Sequence, residues 1–137
     1  MDNLNICFSS DDNYVQHLGT AVTSILVNGD AENNYNFHIL DGGISDENKQ
    51  KLLELKKIKD FNIEFYKINS DEFECCPLNR FYISLATFYR FKIPSLLPKS
   101  INRILYLDCD IVVMKDLKEM FFTDIGGCFA AVVEDEG

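Results

Sequence analysis

Short apolar runs alternate with stretches of helical period along the first half of this chain, and that alternation constrains its fold more than any other feature. Residues 4–8 form an apolar run that breaks into Ser9-Ser10-Asp11-Asp12-Asn13, as a buried strand entering a polar loop would. From Tyr14 onward, Val15, Leu18, Val22, Ile25 and Leu26 fall on one helical face, and Asn28-Gly29-Asp30 ends the pattern. Residues 35–40 read as a second strand, stopped by Asp41-Gly42-Gly43. Ser45 then caps a helix whose first turn carries Asp46 and Glu47, where the helix dipole favours acids. Leu52, Leu53, Leu55 and Ile58 are the expected buried face of that helix, and residues 63–68 the third strand. Strands alternating with helices of this length indicate βαβ units and a mainly parallel sheet.

The second half is less regular. Residues 71–79 read as a loop, 83–91 as a short helix before Pro94, and 103–107 as a strand followed by Asp108-Cys109-Asp110. Further short strands are expected at 111–113 and 129–133, and a short helix at 117–122. Ligands of such sheets sit at the carboxyl ends of the strands. Three polar clusters, residues 9–13, 108–110 and 134–136, occupy such ends and are expected to converge on one crevice.

Composition narrows the chemistry. The 137 residues are 47% hydrophobic, enough for a core in one domain, and carry a net charge of −9 from 22 acidic and 13 basic side chains. No basic stripe exists to neutralise a phosphate backbone, so no nucleic-acid partner is expected. An anionic ligand needs a local device such as a bound cation. The cysteines (Cys7, Cys75, Cys76, Cys109, Cys128) lack a zinc spacing and read as free thiols of a reducing compartment. No signal peptide or membrane-spanning run is legible, and the expected location is cytoplasmic.

An apolar strand ending in Asp-x-Asp presents two hard carboxylates, a partial shell for manganese or magnesium that substrate phosphates can complete. The same triplet also occurs as a solvated turn. Apolar flanks on both sides, Arg-Ile-Leu-Tyr-Leu before and Ile-Val-Val after, favour the metal reading. A haloacid-dehalogenase-type phosphatase would place its Asp-x-Asp near the start of the domain, with a Lys and more acids after it. A receiver domain would need an Asp after the third strand and a Lys after the fifth, where Asn69-Ser70 and an acidic end stand instead.

Taken together, FSSDDNY (8–14), FHILDGGIS (37–45), RILYLDCDIVV (103–113) and DIGG (124–127) resemble glycosyltransferase family 8, in the same order and over nearly the whole chain. The family includes bacterial lipopolysaccharide galactosyl- and glucosyltransferases and glycogenin. The resemblance implies a GT-A (Rossmann-like) α/β fold: a mainly parallel sheet flanked by helices, incomplete at the C-terminus. Residues 1–137 would be the N-terminal nucleotide-sugar-binding part of a single GT-A domain. It further implies a UDP-sugar donor (UDP-glucose or UDP-galactose), Mn2+ with Mg2+ as the alternative, retention of anomeric configuration, and a saccharide acceptor such as lipopolysaccharide, a polysaccharide or another glycan.

Carried over by position, Asp11 and Asn13 match residues that hydrogen-bond uracil, and Tyr14 the ring that stacks on it. Ser9 and Cys109 join the nucleotide contacts. Asp108 and Asp110 match the metal pair, with Asp108 also near the ribose and the donor sugar. Arg90, in TFYR (87–90), matches an arginine that contacts the sugar and the first aspartate, and Asp135 an acid that holds sugar hydroxyls. Tyr82 stands where the galactosyltransferases carry a histidine near the diphosphate. No catalytic residue is assigned. The family's second half would supply a histidine as third metal ligand, a glutamine or acid near the anomeric carbon, and most of the acceptor site. Any peripheral membrane association would come through that same part. A truncated, non-catalytic nucleotide-binding module is the alternative reading.

Other residues read as structural. His17 is expected at the surface and His38 packed or hydrogen-bonded within a strand. Phe81, Tyr82, Phe88, Tyr89 and Phe91 are expected to form core and crevice wall, and residues 49–59 a solvated helix face carrying lysines.

Overall fold

The computed structural model describes residues 2–73 and 85–134. Four parallel strands form one sheet: β1 (Asn3–Ser10), β2 (Asn34–Asp41), β3 (Asn62–Lys67) and β4 (Leu105–Tyr106), in the order β3-β2-β1-β4. Helix α1 (Val15–Asn28) links β1 to β2, and α2 (Asp46–Glu54) links β2 to β3. These are the βαβ units that the periodicity predicts.

One sheet face packs on the helices. Leu4, Ile6, Phe8, Phe37 and Ile39 from the strands meet Leu18, Ala21, Val22 and Ile25 of α1 and Leu52 of α2, all nearly or fully buried. Each such aliphatic or aromatic side chain removed from water contributes about 1.5–3 kcal/mol, so this layer sets the register of the sheet. The opposite face is covered by a 3-10 helix (Leu85–Lys92) and the short helix α3 (Ile93–Leu96), over Cys7, Leu40 and Tyr106. Central strands covered on both faces read as near-continuous apolar runs, as β1 and β2 do.

Helix α1 ends at Asn28, where Gly29 turns to extended backbone, and Tyr35 packs directly over that glycine: a Cβ there would lie 1.8 Å from the Tyr35 hydroxyl. Close approach, not a left-handed backbone, requires glycine at this position. At α2, the Ser45 side chain accepts the Asn48 amide as the cap, with Asp46 and Glu47 in the first turn.

Four local expectations are corrected. Ile58 is 46% exposed, because the α-helix stops at Glu54 and the tighter 3-10 turn Leu55–Lys57 carries Ile58 out of phase with Leu52. The strand expected at 103–107 shrinks to Leu105–Tyr106, whose partners on β1 are Ile6 and Cys7 alone; before it, Arg103 bonds through its guanidinium to the carbonyls of Phe121 and Thr123 (2.8 and 2.7 Å) at the end of helix α4 (Lys118–Phe121). Residues 111–113 form no strand: the Val113 amide and carbonyl bond to the side chains of Ser24 and Asn28 on α1 (2.9 and 2.8 Å). Residues 129–133 form none either. Phe129, Val132 and Val133 are exposed, and no strand among the described residues lies beside them to pair with.

Candidate functional site

Strands β1, β2 and β3 follow one another toward one edge of the sheet, and β4 then returns to the other side of β1. Strand order reverses between β1 and β4, which makes their carboxyl ends the crevice where α/β sheets take ligands. The sequence-expected clusters at residues 9–13 and 108–110 are the two that end there. Register pairs Cys7 with Tyr106, and the Leu107 amide bonds to the Cys7 carbonyl at 3.0 Å, so the chain leaves β4 alongside the end of β1.

On the β1 side, Asp11 organises the loop. Its Oδ1 accepts the amides of Asn13 and Tyr14 (2.9 and 3.0 Å), closing the turn that starts α1. Tyr14 is left 48% exposed, its ring 5.1 Å from that of the exposed His17. Asn13 is exposed and Ser9 half-buried. Asp12, to which the sequence reading gave no role of its own, clamps the loop to α2: its Oδ1 accepts the Ser45 amide and the Asn48 side chain, both at 2.8 Å. Those bonds, the Ser45 amide first, hold its carboxyl below the ordinary Asp range. The Asp-Asp pair and the downstream Ser-x-x-Asn were visible signals, but their contact is non-local.

On the β4 side, the chain turns at Cys109 and Asp110. Asp108 and Asp110 are exposed, while Cys109 between them is 6% exposed and donates its thiol to the Ser9 carbonyl at 2.9 Å. Burial pushes that thiol up to about 12. Beyond the turn, Ile111 and Val113 pack into the core, so both carboxylates stand on an anchored segment. The donor set suits a hard divalent cation, since it is two carboxylates at a strand end. It is a partial shell: among the described residues no group of three or more His, Cys, Asp or Glu is gathered as a metal cage.

The 3-10 helix Leu85–Lys92 brings two neighbours to the same end. The guanidinium carbon of Arg90 lies 5.8 Å from the Tyr106 ring centroid, two residues before Asp108. Burial first, then the Asp108 charge, raises the Tyr106 phenol, and Arg90 opposes this. Tyr89 is 4% exposed and packs on Phe73 at 5.3 Å; its phenol is raised by burial and by Asp11. Phe88 is partly buried in the same cluster, whereas Phe91 is 71% exposed and belongs to no wall. Tyr89 fits because Gly42 has no side chain: a Cβ there would stand 2.7 Å from the tyrosine ring. Asp135, Phe81 and Tyr82 lie outside the described residues, and of the third acidic cluster Glu134 alone is described, as exposed.

A groove of about 830 Å³ opens elsewhere, between α1 and α2, lined by Gln16, Gly19, Thr23 and Leu55 among others. It shares Asp12 and Asn13 with the β1 loop but neither aspartate of the 108–110 turn. The titratable chemistry is at the switch point, and the site is assigned there.

The family model for glycosyl transferase family 8 matches residues 5–137. The chain belongs to glycosyltransferase family 8. It is 36% identical over 135 residues to general stress protein A of Bacillus subtilis (strain 168), covering 98% of this chain and 47% of that protein. To the lipopolysaccharide 1,2-glucosyltransferase of Escherichia coli (strain K12) it is 33% identical over 132 residues, 96% of this chain and 38% of the enzyme. Among solved structures, the galactosyltransferase LgtC in complex with donor and acceptor sugar analogues superposes with a TM-score of 0.81 at 33% identity, over 90% of this chain and 44% of LgtC. This family 8 chain therefore has the GT-A fold and spans less than half the length of each of these proteins. No helix among its described residues is long and apolar enough to cross a membrane.

Proposed function

We propose that this family 8 chain is the donor-binding half of a retaining hexosyltransferase, which takes a hexose from UDP-glucose or UDP-galactose to a saccharide acceptor in the cytoplasm. One observation carries the reading. The Asp11–Tyr14 loop and the Asp108/Asp110 turn leave adjacent strands at the point where strand order reverses.

In this reading the exposed Tyr14 ring stacks on uracil, with Asp11 and Asn13 beside it. Asp11 spends Oδ1 on the loop, so the base would meet its other oxygen. The Cys109 thiol is turned inward, so any nucleotide contact from Cys109 is through its main chain. Asp108 and Asp110 would hold Mn2+, or Mg2+ in its place. When bound, the cation offsets diphosphate charge and acts as a Lewis acid toward the leaving UDP. Arg90 presents a planar fork suited to the donor sugar and to Asp108. Asp135 would hold sugar hydroxyls.

Calorimetry of UDP binding with and without manganese tests the site. Manganese-dependent binding that Asp110→Asn abolishes is the expected result; binding indifferent to both would sink the assignment. The two-carboxylate shell favours a second reading, a nucleotide-binding module without transfer activity. Donor hydrolysis, compared between this chain and a full-length family member, separates the two.

A further inference from the structure

The side chain between the two aspartates is the part of the motif that faces away from the crevice. Cys109 Sγ donates to the Ser9 carbonyl at 2.9 Å, bonding two segments 100 residues apart in sequence. Ser10, 0% exposed, donates in turn to the Asp11 carbonyl at 3.1 Å. Asp11 then accepts the amides of Asn13 and Tyr14. An unbroken run of bonded neighbours therefore joins the aspartate turn to the loop that displays Tyr14.

The β1–β4 backbone pairing closes with the Leu107 amide on the Cys7 carbonyl, before Asp108 is reached. Beyond it the Cys109 thiol contact joins the turn to the end of β1.

We propose that the Cys109 thiol is a positioning residue that couples the two halves of the donor site, so that a cation on Asp108/Asp110 and a base on the Asp11–Tyr14 loop each strengthen the other's binding through the protein. The inference rests on the donor-site reading above. Its physical content is pre-ordering: a ligand that orders one side of a bonded pair lowers the entropy cost of ordering the other. Such coupling is reciprocal by linkage.

Uridine provides the test. It carries the base and ribose but no diphosphate, so the direct cation–phosphate contribution that UDP would report is removed from its affinity. Uridine and UDP are titrated by NMR with and without Mn2+ in the unchanged chain, Cys109→Ala, Cys109→Val, Cys109→Ser and Asp110→Asn. Mn2+ should raise uridine affinity several-fold in the unchanged chain, on the order of the ~5-fold lower end of typical couplings. Cys109→Ala and Cys109→Val, which remove the donor (Ala by truncation, Val with a somewhat larger apolar side chain in its place), should bring that ratio to one. Cys109→Ser, which restores a donor, should recover it, and a purely structural role would not follow donor capacity in this way. An unchanged ratio in both Ala and Val variants overturns the proposal. So does a uridine affinity that ignores Mn2+ while UDP affinity responds to it, and in that case the donor-site reading stands. If UDP binding itself ignores Mn2+ in the unchanged chain, both fall together.

Discussion

Lys49 Nζ lies 2.6 Å from Oδ2 of Asp41, a carboxylate whose side chain is 4% exposed at the carboxyl end of β2. The other oxygen accepts the amides of Gly43 and Ile44 (2.8 and 2.6 Å), and the ammonium also sits over the Phe65 ring at 5.3 Å. Asp41 thus fixes the turn that sends the chain from β2 to α2, and Lys49 supplies the opposing charge. The lysine-bearing face expected at residues 49–59 to be solvated is therefore folded inward at its first residue.

Lys49→Met should leave the buried Asp41 carboxylate without its cation. Removing one partner of a fully buried pair costs about 3–5 kcal/mol. Lys49 keeps 26% of its side chain in water, so a loss of about 2 kcal/mol is expected once solvent screening is allowed for. Urea unfolding of the variant checks this, and a midpoint equal to that of the unchanged chain would show that Asp41 is satisfied by the Gly43 and Ile44 amides alone.

Gly42→Ala should force Tyr89 off its seat, because the new methyl would stand 2.7 Å from the ring. Overpacking of this kind costs about 1–3 kcal/mol. Tyr89→Ala opens the space, so the double variant should be more stable than the sum of the two single losses by about 1 kcal/mol or more. A double-mutant cycle additive to within ~0.5 kcal/mol counts against the contact.

His38 sets a pH dependence. The residue is 5% exposed, with Nδ1 3.1 Å from the Tyr66 hydroxyl and Nε2 3.2 Å from Asn5 Oδ1. Burial lowers its pKa and outweighs the opposing charge of Glu64. The unfolded chain therefore binds a proton that the folded chain resists. The contribution is complete above the unfolded value of about 6.5 and is lost as the pH falls below it. Urea unfolding from pH 7 to 5 should show stability falling more steeply in the unchanged chain than in His38→Gln. Parallel slopes would remove His38 as the source. The depressed carboxyls of Asp12 and Glu47 act at lower pH and leave this window clear.

Ser24→Ala should loosen the segment that follows the aspartate turn. The buried Ser24 hydroxyl accepts the Val113 amide at 2.9 Å and donates to the Ala21 carbonyl at 2.7 Å. Orphaning the buried amide costs about 1–3 kcal/mol. Hydrogen exchange at Val113 should accelerate by more than the global loss of stability explains, and exchange tracking the global loss alone would place the anchor elsewhere.

The parts of this protein that were legible in its residue order are those governed by short-range regularity. Helical spacing from Val15 to Leu26, the Ser45 cap with its acidic first turn, and the apolar runs of β1, β2 and β3 each depend on neighbours a few positions away. The Asp108-Cys109-Asp110 triplet was readable for the same reason, since its apolar flanks are adjacent to it.

Chain order could not show which elements meet. β4 keeps two ladder residues and Arg103 before it reaches the end of α4, while residues 111–113 form no strand and Val113 gives its backbone groups to Ser24 and Asn28. Lys49 turns inward because Asp41 is buried, and Gly42 is needed because Tyr89 arrives from the far side of the sheet. The placement of Cys109 against Ser9 is of this kind too. Each is a contact between residues distant in sequence, whose energy exists only once burial has removed the competing water. Local propensity specified the strands and helices, and close packing at the β1–β4 junction assembled them into a site.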